Sequence, residues 1–421
     1  MRPQHKPIPL YRINSPTPCP ILVTMKLPLP PLSLPLLLLL LTCANQTNDQ
    51  NHSKLEAYPD TLTLQTEKVR GSGLFGFGAG FLELSDTSDL FPYPVKYPAD
   101  ITDIIGERKP TDFRLENPAH VDIIVGRRDG SDVFVVDQNG NHDFTDDPVR
   151  PVRVIDESFT DTALLIIFHR RDEGRTISDS AYIRIGASSW HDGILYGRDE
   201  YLKATFALNN KQYEIGIIDQ MMSASFTYGD ANSAELAILA VDTERRDTLL
   251  LHDRIMMGEY LKVDDHYYRF DSISRYGDHV LLVKDPDFLT REGTQVGTLA
   301  PDFEFVTVAG DSLSSNDLHD KPILIANSCG CGGDKASTEA FTAIRETYAQ
   351  DIHALRLDSD IKDHPAGWHV DVDDAYNESI YNDYRGQYCS RVAYLIGQDR
   401  RINEKFDITN WGTSLPPHLH P

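Results

Sequence analysis

The sequence is poor in cysteine and in positive charge, and each shortage narrows what the protein can do. Five cysteines occur in 421 residues, and none lies between 44 and 328, which excludes a scaffold held together by disulfides. Lys and Arg number 40 against 64 Asp and Glu, a formal net charge of −24. Such a surface repels phosphate backbones, so nucleic acid is not an expected partner. The five cysteines are Cys19, Cys43, Cys329, Cys331 and Cys389.

Long apolar runs are also scarce, and the one that exists lies near the N-terminus. From Met25 the chain reads MKLPLPPLSLPLLLLLLTCANQ, a leucine-rich stretch that leads to Cys43. It is too short and too interrupted by proline for a spanning helix, but it is typical of a signal peptide. Residues 1–43 are therefore predicted to be a leader, of which 1–24 lie upstream of the true start at Met25. Polar residues 44–65 are predicted to be a flexible tether.

The stretch that ends at Cys43 resembles the lipobox of bacterial lipoproteins. The resemblance implies that Cys43 is lipidated and becomes the new N-terminus. The protein would then be exported to the bacterial cell envelope, facing the periplasm or the surface, and held to the membrane by its lipid. An ordinary cleaved signal peptide is the alternative.

Residues 66–290 are predicted to form one or two all-β modules. Short β-branched or aromatic runs alternate there with turn pairs such as Asn209-Asn210 and Asp264-Asp265. This pattern is typical of sandwiches and barrels. The runs cover 131–137, 163–169, 182–185, 201–208, 212–218, 235–241, 267–274 and 279–284.

Two segments of this region look like copies of one unit, 131–147 and 213–229. Both have a strand, then Ile/Val-Asp-Gln, then a loop that closes on Phe-Thr. In the first copy, oxygen-bearing side chains at alternate positions of the loop 137–147 could converge on Ca²⁺. A polar hairpin tip without metal is the alternative. The predicted calcium ligands are Asp137, Asn139, Asn141 and Asp143.

Residues 291–421 change to strands that alternate with helices. The motifs V-G-x-x-A-P-D-F at 296–303 and G-D-x-L at 310–313 precede a strand that ends in cysteine. Together they resemble the redoxin branch of the thioredoxin superfamily, over about 296–406. The predicted fold is thus multidomain, with N-terminal all-β modules followed by an α/β thioredoxin-like domain. The predicted elements are strands at 322–326, 354–357, 392–396 and 402–406 and helices at 334–350 and 374–384.

The strand leads into Ser328-Cys329-Gly330-Cys331, so the usual C-x-x-C spacing is absent. When the helix is aligned with that of the family, Cys331 takes the first cysteine position and Asp334 the second. A Ser-Cys-x-chalcogen turn resembles the iodothyronine deiodinases, with cysteine in place of selenocysteine. The segment His364-Pro365-Ala366-Gly367-Trp368 resembles a deiodinase segment, and Arg391 stands where thioredoxins carry their cis-proline.

Cys331 is the predicted nucleophile, because a thiol at a helix N-terminus has a depressed pKa and ionises readily. Cys329 or Cys389 would resolve the adduct, although Cys389 could instead be a buried core residue. Asp334 and Arg391 are candidate substrate or acid–base groups. The deiodinase resemblance alone makes His364 an acid–base or substrate candidate, and an ordinary loop role is the alternative.

The leading prediction is an exported thiol oxidoreductase that works with a thiol or disulfide redox partner and requires no cofactor. A deiodinase-like reductive dehalogenase is one alternative, and a peroxidase ranks below it. The other alternative is a non-enzymatic surface-binding lipoprotein whose redoxin domain is a relic. A zinc site at Cys329 and Cys331 is disfavoured, since no nearby C-x-C or H-x-H pair could complete it.

Overall fold

A computed structural model describes most of the chain beyond the predicted leader. All described residues belong to one compact unit, Leu55–Pro421. The predicted leader, Met25 and Cys43 lie outside them. Among the described residues, no helix is both long and apolar enough to cross a membrane. The described ranges are 58–76, 78–155, 163–172, 174–189, 191–219, 226–229, 233–327, 334–358, 368–371, 374–384 and 391–419.

The first part of the described chain is built from antiparallel strands. In chain order these are β1 (Thr61–Gln65), β2 (Glu67–Arg70), β3 (Gly80–Phe81), β4 (Ser85–Asp86), β5 (Thr102–Pro110), β6 (His120–Arg128), β7 (Ser131–Val136), β8 (Arg150–Pro151), β9 (Leu164–Asp172), β10 (Arg175–Ala187), β11 (Ile194–Arg198), β12 (Glu200–Leu208), β13 (Lys211–Asp219), β14 (Ala234–Val241), β15 (Glu244–Arg245), β16 (Ile255–Met256), β17 (Tyr260–Val263), β18 (His266–Ile273) and β19 (His279–Lys284). Short 3₁₀ turns occur at Gly73–Phe75, Leu251–Asp253 and Phe288–Thr290.

These strands form two sandwiches. In the first, the sheet β1-β19-β18-β17 packs on the sheet β15-β14-β13-β12-β2, and β16 adds to β14. In the second, the sheet β3-β11-β10-β9 packs on β4-β5-β6-β7-β8. Each pair of sheets encloses its own apolar cluster, because inward-facing residues alternate with outward-facing ones along the strands. The first cluster is centred on residues such as Ile215, Leu236 and Phe270, and the second on Ile123, Ile166 and Ile183.

The second sandwich is inserted into the first. β1 and β2 belong to the first sandwich, the chain then builds the second, and it returns to the first at β12, which pairs with β2. Ion pairs connect the two: Lys68 Nζ lies 2.8 Å from Asp179, and Arg170 Nη2 lies 3.1 Å from Asp278. The predicted domain boundaries, which place the β-modules at 66–290 and the redoxin domain at 291–421, stay predictions.

Local turn chemistry explains the β12–β13 hairpin. Leu208 pairs with Lys211, and the two residues between them, Asn209 and Asn210, have φ values of 50° and 60°. Asparagine tolerates this left-handed conformation better than most residues, which suits a two-residue hairpin turn.

Five residues of the predicted tether are in fact a strand. β1 pairs along its length with β19, from Thr61 opposite Val283 to Gln65 opposite His279. Leu62 and Leu64 alternate with polar residues, and both pack on the core of the first sandwich. Alternation over so few residues inside a polar stretch is a weak signal, and the strand forms because β19 offers it an edge.

The C-terminal part has mixed elements. They are β20 (Glu304–Val306), β21 (Ser312–Ser314), β22 (Ile323–Asn327), α1 (Lys335–Tyr348), β23 (His353–Asp358), β24 (Trp368–Asp371), α2 (Glu378–Tyr384), β25 (Val392–Ile396), β26 (Ile402–Asp407), α3 (Trp411–Ser414) and α4 (Pro416–Leu419). Further 3₁₀ turns lie at Ser315–Leu318, Ala375–Asn377 and Ile408–Asn410.

The strand order of the C-terminal sheet is β24-β23-β22-β25-β26. β22, β23 and β24 run parallel, whereas β25 is antiparallel to both β22 and β26. α1 packs on one face of the sheet and α2 on the other. A β-α-β unit followed by an antiparallel pair, with the first strand in the centre, is the thioredoxin fold. The predicted α/β region therefore has a thioredoxin-like fold.

Charged contacts join this sheet to the first sandwich. Lys405 on β26 places its ammonium 3.0 Å from Glu259, and its side chain is only 12% exposed. His252 Nδ1 lies 2.8 Å from Glu404, and the Gln295 side chain bonds both the N–H and the carbonyl of Tyr260. The thioredoxin-like region is thus docked on the β-region through buried and half-buried polar groups.

Candidate functional site

The predicted thiol site lies where β22 ends and α1 begins. β22 is buried throughout, from Ile323 to Asn327, at the centre of the sheet. α1 follows at Lys335 and buries one face, including Phe341 and Ile344. The carboxyl end of a central strand and the positive end of the next helix meet here, an arrangement that favours anionic groups. Cys329 and Cys331 lie between the two elements, outside the described residues.

Asp334 precedes α1 and caps its N-terminus. Its side chain accepts hydrogen bonds from the N–H and the hydroxyl of Ser337, so it is the N-cap of α1. This is the expected role of an aspartate at the first turn, where backbone N–H groups lack partners within the helix. The cap also explains why the helix begins one residue later than the predicted start at 334.

Arg391 pairs with the same carboxylate. Its Nε and Nη2 lie 2.7 and 2.8 Å from the two oxygens of Asp334, a bidentate contact. Burial works to raise the pKa of Asp334, but the hydrogen bonds from Arg391 and Ser337 outweigh it and hold the pKa below its usual value. Asp334 is therefore ionised at neutral pH, and the guanidinium offsets a negative charge that would otherwise oppose thiolate formation.

Asn327 makes the matching contact on the strand side. Its Nδ2 donates to the carbonyl of Tyr384 at 2.8 Å and to the carbonyl of Val392 at 3.0 Å. Only 1% of Asn327 is exposed, so these two bonds are shielded from water. One amide thus ties the end of β22 to the end of α2 and to the start of β25.

These contacts bracket two cysteine-bearing segments. Segment 328–333 lies between Asn327 and Asp334, and segment 385–390 lies between Tyr384 and Arg391. Asn327, just before the first segment, donates to the carbonyl of Tyr384, just before the second. Arg391, just after the second segment, donates to the carboxylate of Asp334, just after the first. Both segments therefore start and finish at shared anchor points, at the end of the sheet where β22 ends and β25 begins.

A second arginine, this one buried, lies against the first turn of α1. Arg356 on β23 is 3% exposed; it donates from Nη2 to the hydroxyl of Thr338 at 2.9 Å, and its guanidinium lies over the Phe341 ring. His369, its partner in the β23–β24 register, is 5% exposed and contacts the same ring edge-on. Arg356 adds positive charge beside the helix end that would stabilise a thiolate.

The residues of the thiol region fall into three groups: predicted residues that the structure describes, predicted residues outside the described ones, and residues that were not predicted. Asp334 and Arg391 are brought together. Cys329, Cys331, Cys389 and His364 lie outside the described residues, and their roles stay predictions. Asn327 and Arg356 were missed. The available signals were that Asn327 ends a fully apolar run and that Arg356 stands alone within an apolar strand. Such residues are rarely buried unless they are bonded.

The predicted calcium loop has its oxygens engaged within the loop. Asp137 accepts from the backbone N–H groups of Gly140, Asn141 and His142. Three further side chains of the loop each accept a backbone N–H group of the loop. Calcium binding stays a prediction. Asn139 accepts from Asn141 N, Asn141 from Asp143 N, and Asp143 from Thr145 N.

Comparisons with known proteins return structural likeness only. No protein-family model matches the sequence, and no curated protein matches it. The thioredoxin domain of a thiol-disulfide oxidoreductase from Bacteroides vulgatus is 15% identical, with a TM-score of 0.24 over 30% of this chain and 98% of that one. A thiol:disulfide interchange protein from Bacteroides sp. is 14% identical, with a TM-score of 0.24 over 30% and 91%. Yeast Sco1 is 13% identical, with a TM-score of 0.21 over 26% and 83%.

Proposed function

We propose that the thioredoxin-like region is a thiol-disulfide oxidoreductase in which Cys331 is the nucleophile and Cys389 the resolving thiol. The observation that supports this most directly is that the residues flanking segment 328–333 are bonded to the residues flanking segment 385–390. Cys331 is three residues from Asp334 and Cys389 two residues from Arg391, so the Cα atoms of Cys331 and Asp334 are at most about 11 Å apart and those of Cys389 and Arg391 at most about 7 Å apart. Two cysteines tethered to one ion pair can reach the Cα separation of a disulfide, about 5.5 Å.

Charge supports the nucleophile. The N-terminal end of α1 and the buried Arg356 both favour an anion at the start of the helix. Asp334 would oppose it, but Arg391 balances that carboxylate. We therefore expect the pKa of the Cys331 thiol to be depressed, and the thiolate is the form that attacks disulfides.

The reaction balances as two exchanges. The Cys331 thiolate attacks one sulfur of a substrate disulfide, forms a mixed disulfide and releases the other sulfur as a thiolate. The Cys389 thiolate then attacks the Cys331 sulfur, which expels the second substrate thiolate and leaves a Cys331–Cys389 disulfide. An external dithiol returns the enzyme to its reduced state by the same chemistry. Cys329 is disfavoured as the resolving thiol because a C-x-C disulfide closes a small, strained ring.

Mass spectrometry of the oxidised protein tests this assignment. We expect a Cys331–Cys389 disulfide, no insulin reduction by Cys331→Ser, and only slowed turnover for Cys329→Ser. A Cys329–Cys331 disulfide would overturn the resolving role of Cys389. Equal activity of Cys331→Ser and wild type, or three thiols that stay free under peroxide, would overturn the enzyme and favour a binding lipoprotein. Release of iodide from an iodinated phenol without insulin reduction would favour the deiodinase-like alternative.

We also propose that the chain is exported and lipid-anchored through Cys43, from the apolar stretch that precedes this cysteine. Metabolic labelling with a fatty-acid analogue should mark wild type and leave Cys43→Ser unmarked. Equal labelling of the two proteins, or none in either, would contradict the anchor without affecting the thiol proposal.

A further inference from the structure

Away from the thiol region, three strands of the second sandwich bring charged side chains into a row. Arg108 on β5 is the register partner of Asp122 on β6. Asp137 follows β7, and its N–H donates to the carbonyl of Asp122 at 3.0 Å, so it continues the row. Side chains at opposed positions of an antiparallel pair lie on one face, about 5 Å apart. One guanidinium therefore shares this face with two carboxylates.

Both carboxylates are enclosed. The side chain of Asp122 is 4% exposed and that of Asp137 is 2% exposed. Arg108 donates from Nε to Oδ1 of Asp122 at 3.1 Å, whereas the hydrogen bonds that the Asp137 side chain accepts within the described part of the chain come from backbone N–H groups of its own loop. Like charges directly across a sheet repel, and burial strengthens the repulsion. The row is thus short of one positive charge.

His142 is held against the two carboxylates. Its ring stacks on Tyr93 with the centroids 3.6 Å apart, and the Tyr93 hydroxyl donates to Oδ2 of Asp122. Nδ1 of His142 lies 3.6 Å from Oδ2 of Asp122 and 3.7 Å from Oδ2 of Asp137, both beyond hydrogen-bond length. This nitrogen is shielded from solvent and has no hydrogen-bond partner among the described residues.

We propose that Asp122, Asp137 and His142 bind a divalent transition cation with the ligand preferences of Zn²⁺. The three ligand atoms lie within 4.8 Å of one another. Ligands about 2.1 Å from a tetrahedral zinc are roughly 3.4 Å apart, so the site would contract by only a few tenths of an ångström at the histidine. A bound dication would supply the missing charge and give the buried nitrogen its partner.

The surroundings suit a metal site. Tyr93 and Arg108 orient the Asp122 carboxylate, and three backbone N–H groups orient that of Asp137, as outer-shell groups do for metal ligands. Imidazole nitrogen favours zinc-like metals over calcium, which takes oxygen ligands.

The ligand variant is His142→Gly in the full mature chain. His142 has a φ of 64°, a conformation that glycine adopts without strain, so the variant should fold as well as wild type. Asp143→Asn is the matched control, because Asp143 lies in the same loop but pairs with the exposed Lys96 and belongs only to the predicted calcium set. Co²⁺ binding is measured by the visible absorption of the bound metal. The effects of Zn²⁺, Co²⁺ and Ca²⁺ on stability are measured by melting temperature.

Wild type and Asp143→Asn should bind one Co²⁺ with a tetrahedral visible spectrum, and 100-fold excess of Zn²⁺ over its Kd should raise Tm by about 5 °C. His142→Gly should lose at least tenfold in Co²⁺ affinity and the Tm shift, with its metal-free Tm unchanged. Three results would each overturn the site: no Co²⁺ binding by wild type, unaltered binding by His142→Gly, or a Tm rise with Ca²⁺ alone. The last would favour the oxygen-only calcium loop.

Discussion

Asp334 and Arg391 form a bidentate ion pair across 57 residues of sequence, with nitrogen–oxygen distances of 2.7 and 2.8 Å. The aspartate caps α1 and the arginine immediately precedes β25. The pair therefore joins the start of α1 to the start of β25. The side chain of Asp334 is 5% exposed and that of Arg391 is 42% exposed, so the carboxylate depends on the guanidinium far more than the reverse.

Removing Arg391 and removing Asp334 should change the reactivity of Cys331 in opposite directions. Arg391→Ala leaves a nearby negative charge unbalanced, so the thiol pKa should rise and alkylation by iodoacetamide at pH 7 should slow by roughly threefold, about half a pKa unit. Asp334→Asn removes that negative charge, and alkylation should accelerate by a similar factor. Arg391→Lys keeps the charge and is the control. A shift in the same direction for both variants would contradict the electrostatic role.

Asn327 should be important for stability although it lies at the end of a strand. Asn327→Ala removes two hydrogen bonds that are shielded from water, those to the carbonyls of Tyr384 and Val392, so unfolding free energy should fall by about 1–3 kcal/mol. Asn327→Asp should be worse, because an acceptor replaces the donor that faces these carbonyls. Urea denaturation measures both, with exposed Asn316→Ala as a control expected within about 0.5 kcal/mol of wild type. A urea midpoint for Asn327→Ala equal to that of wild type would refute this stabilising role of Asn327.

Local patterns predicted the elements better than their assembly. The alternation in 201–208 and 212–218 and the Asn209-Asn210 turn indicate a hairpin, and the structure contains it as β12 and β13. The pairing of β2 with β12 across 130 residues has no local signature, so the insertion of one sandwich into the other could not be predicted. Strand neighbours distant in sequence are selected by packing and edge availability, which periodicity does not encode.

The same limit applies to the site. Asp334 was singled out because it takes the second cysteine position when the helix is aligned with that of the redoxin family, and Arg391 because it stands where thioredoxins carry their cis-proline. The role of Asn327 depends on two backbone carbonyls, and backbone partners leave no mark in residue identity. β24 was missed because Trp368–Asp371 is a four-residue edge strand next to a segment interpreted by motif.

Lys405 and Glu259 should be coupled in stability, because they join the C-terminal sheet to the first sandwich. Burial works to lower the pKa of Lys405, but Glu259 and other nearby groups raise it overall. Glu259→Gln should cost about 3 kcal/mol, since it leaves a buried ammonium without its carboxylate. Adding Lys405→Met should recover a large part of that loss. A double-mutant cycle by urea denaturation measures the coupling, and additive losses would mean that the pair does not hold the two regions together.

The contact of His252 with Glu404 should make the same interface sensitive to pH. The hydrogen bond from His252 to Glu404 raises the pKa of the histidine, although burial opposes the rise. A histidine with a raised folded-state pKa contributes stability that is complete below its unfolded value, about 6.5, and is lost as pH rises through the folded value. The Tm advantage of wild type over His252→Gln should therefore shrink between pH 6 and pH 8. Exposed His279→Gln should show no such trend, and parallel Tm profiles for wild type and His252→Gln would exclude this histidine as the source.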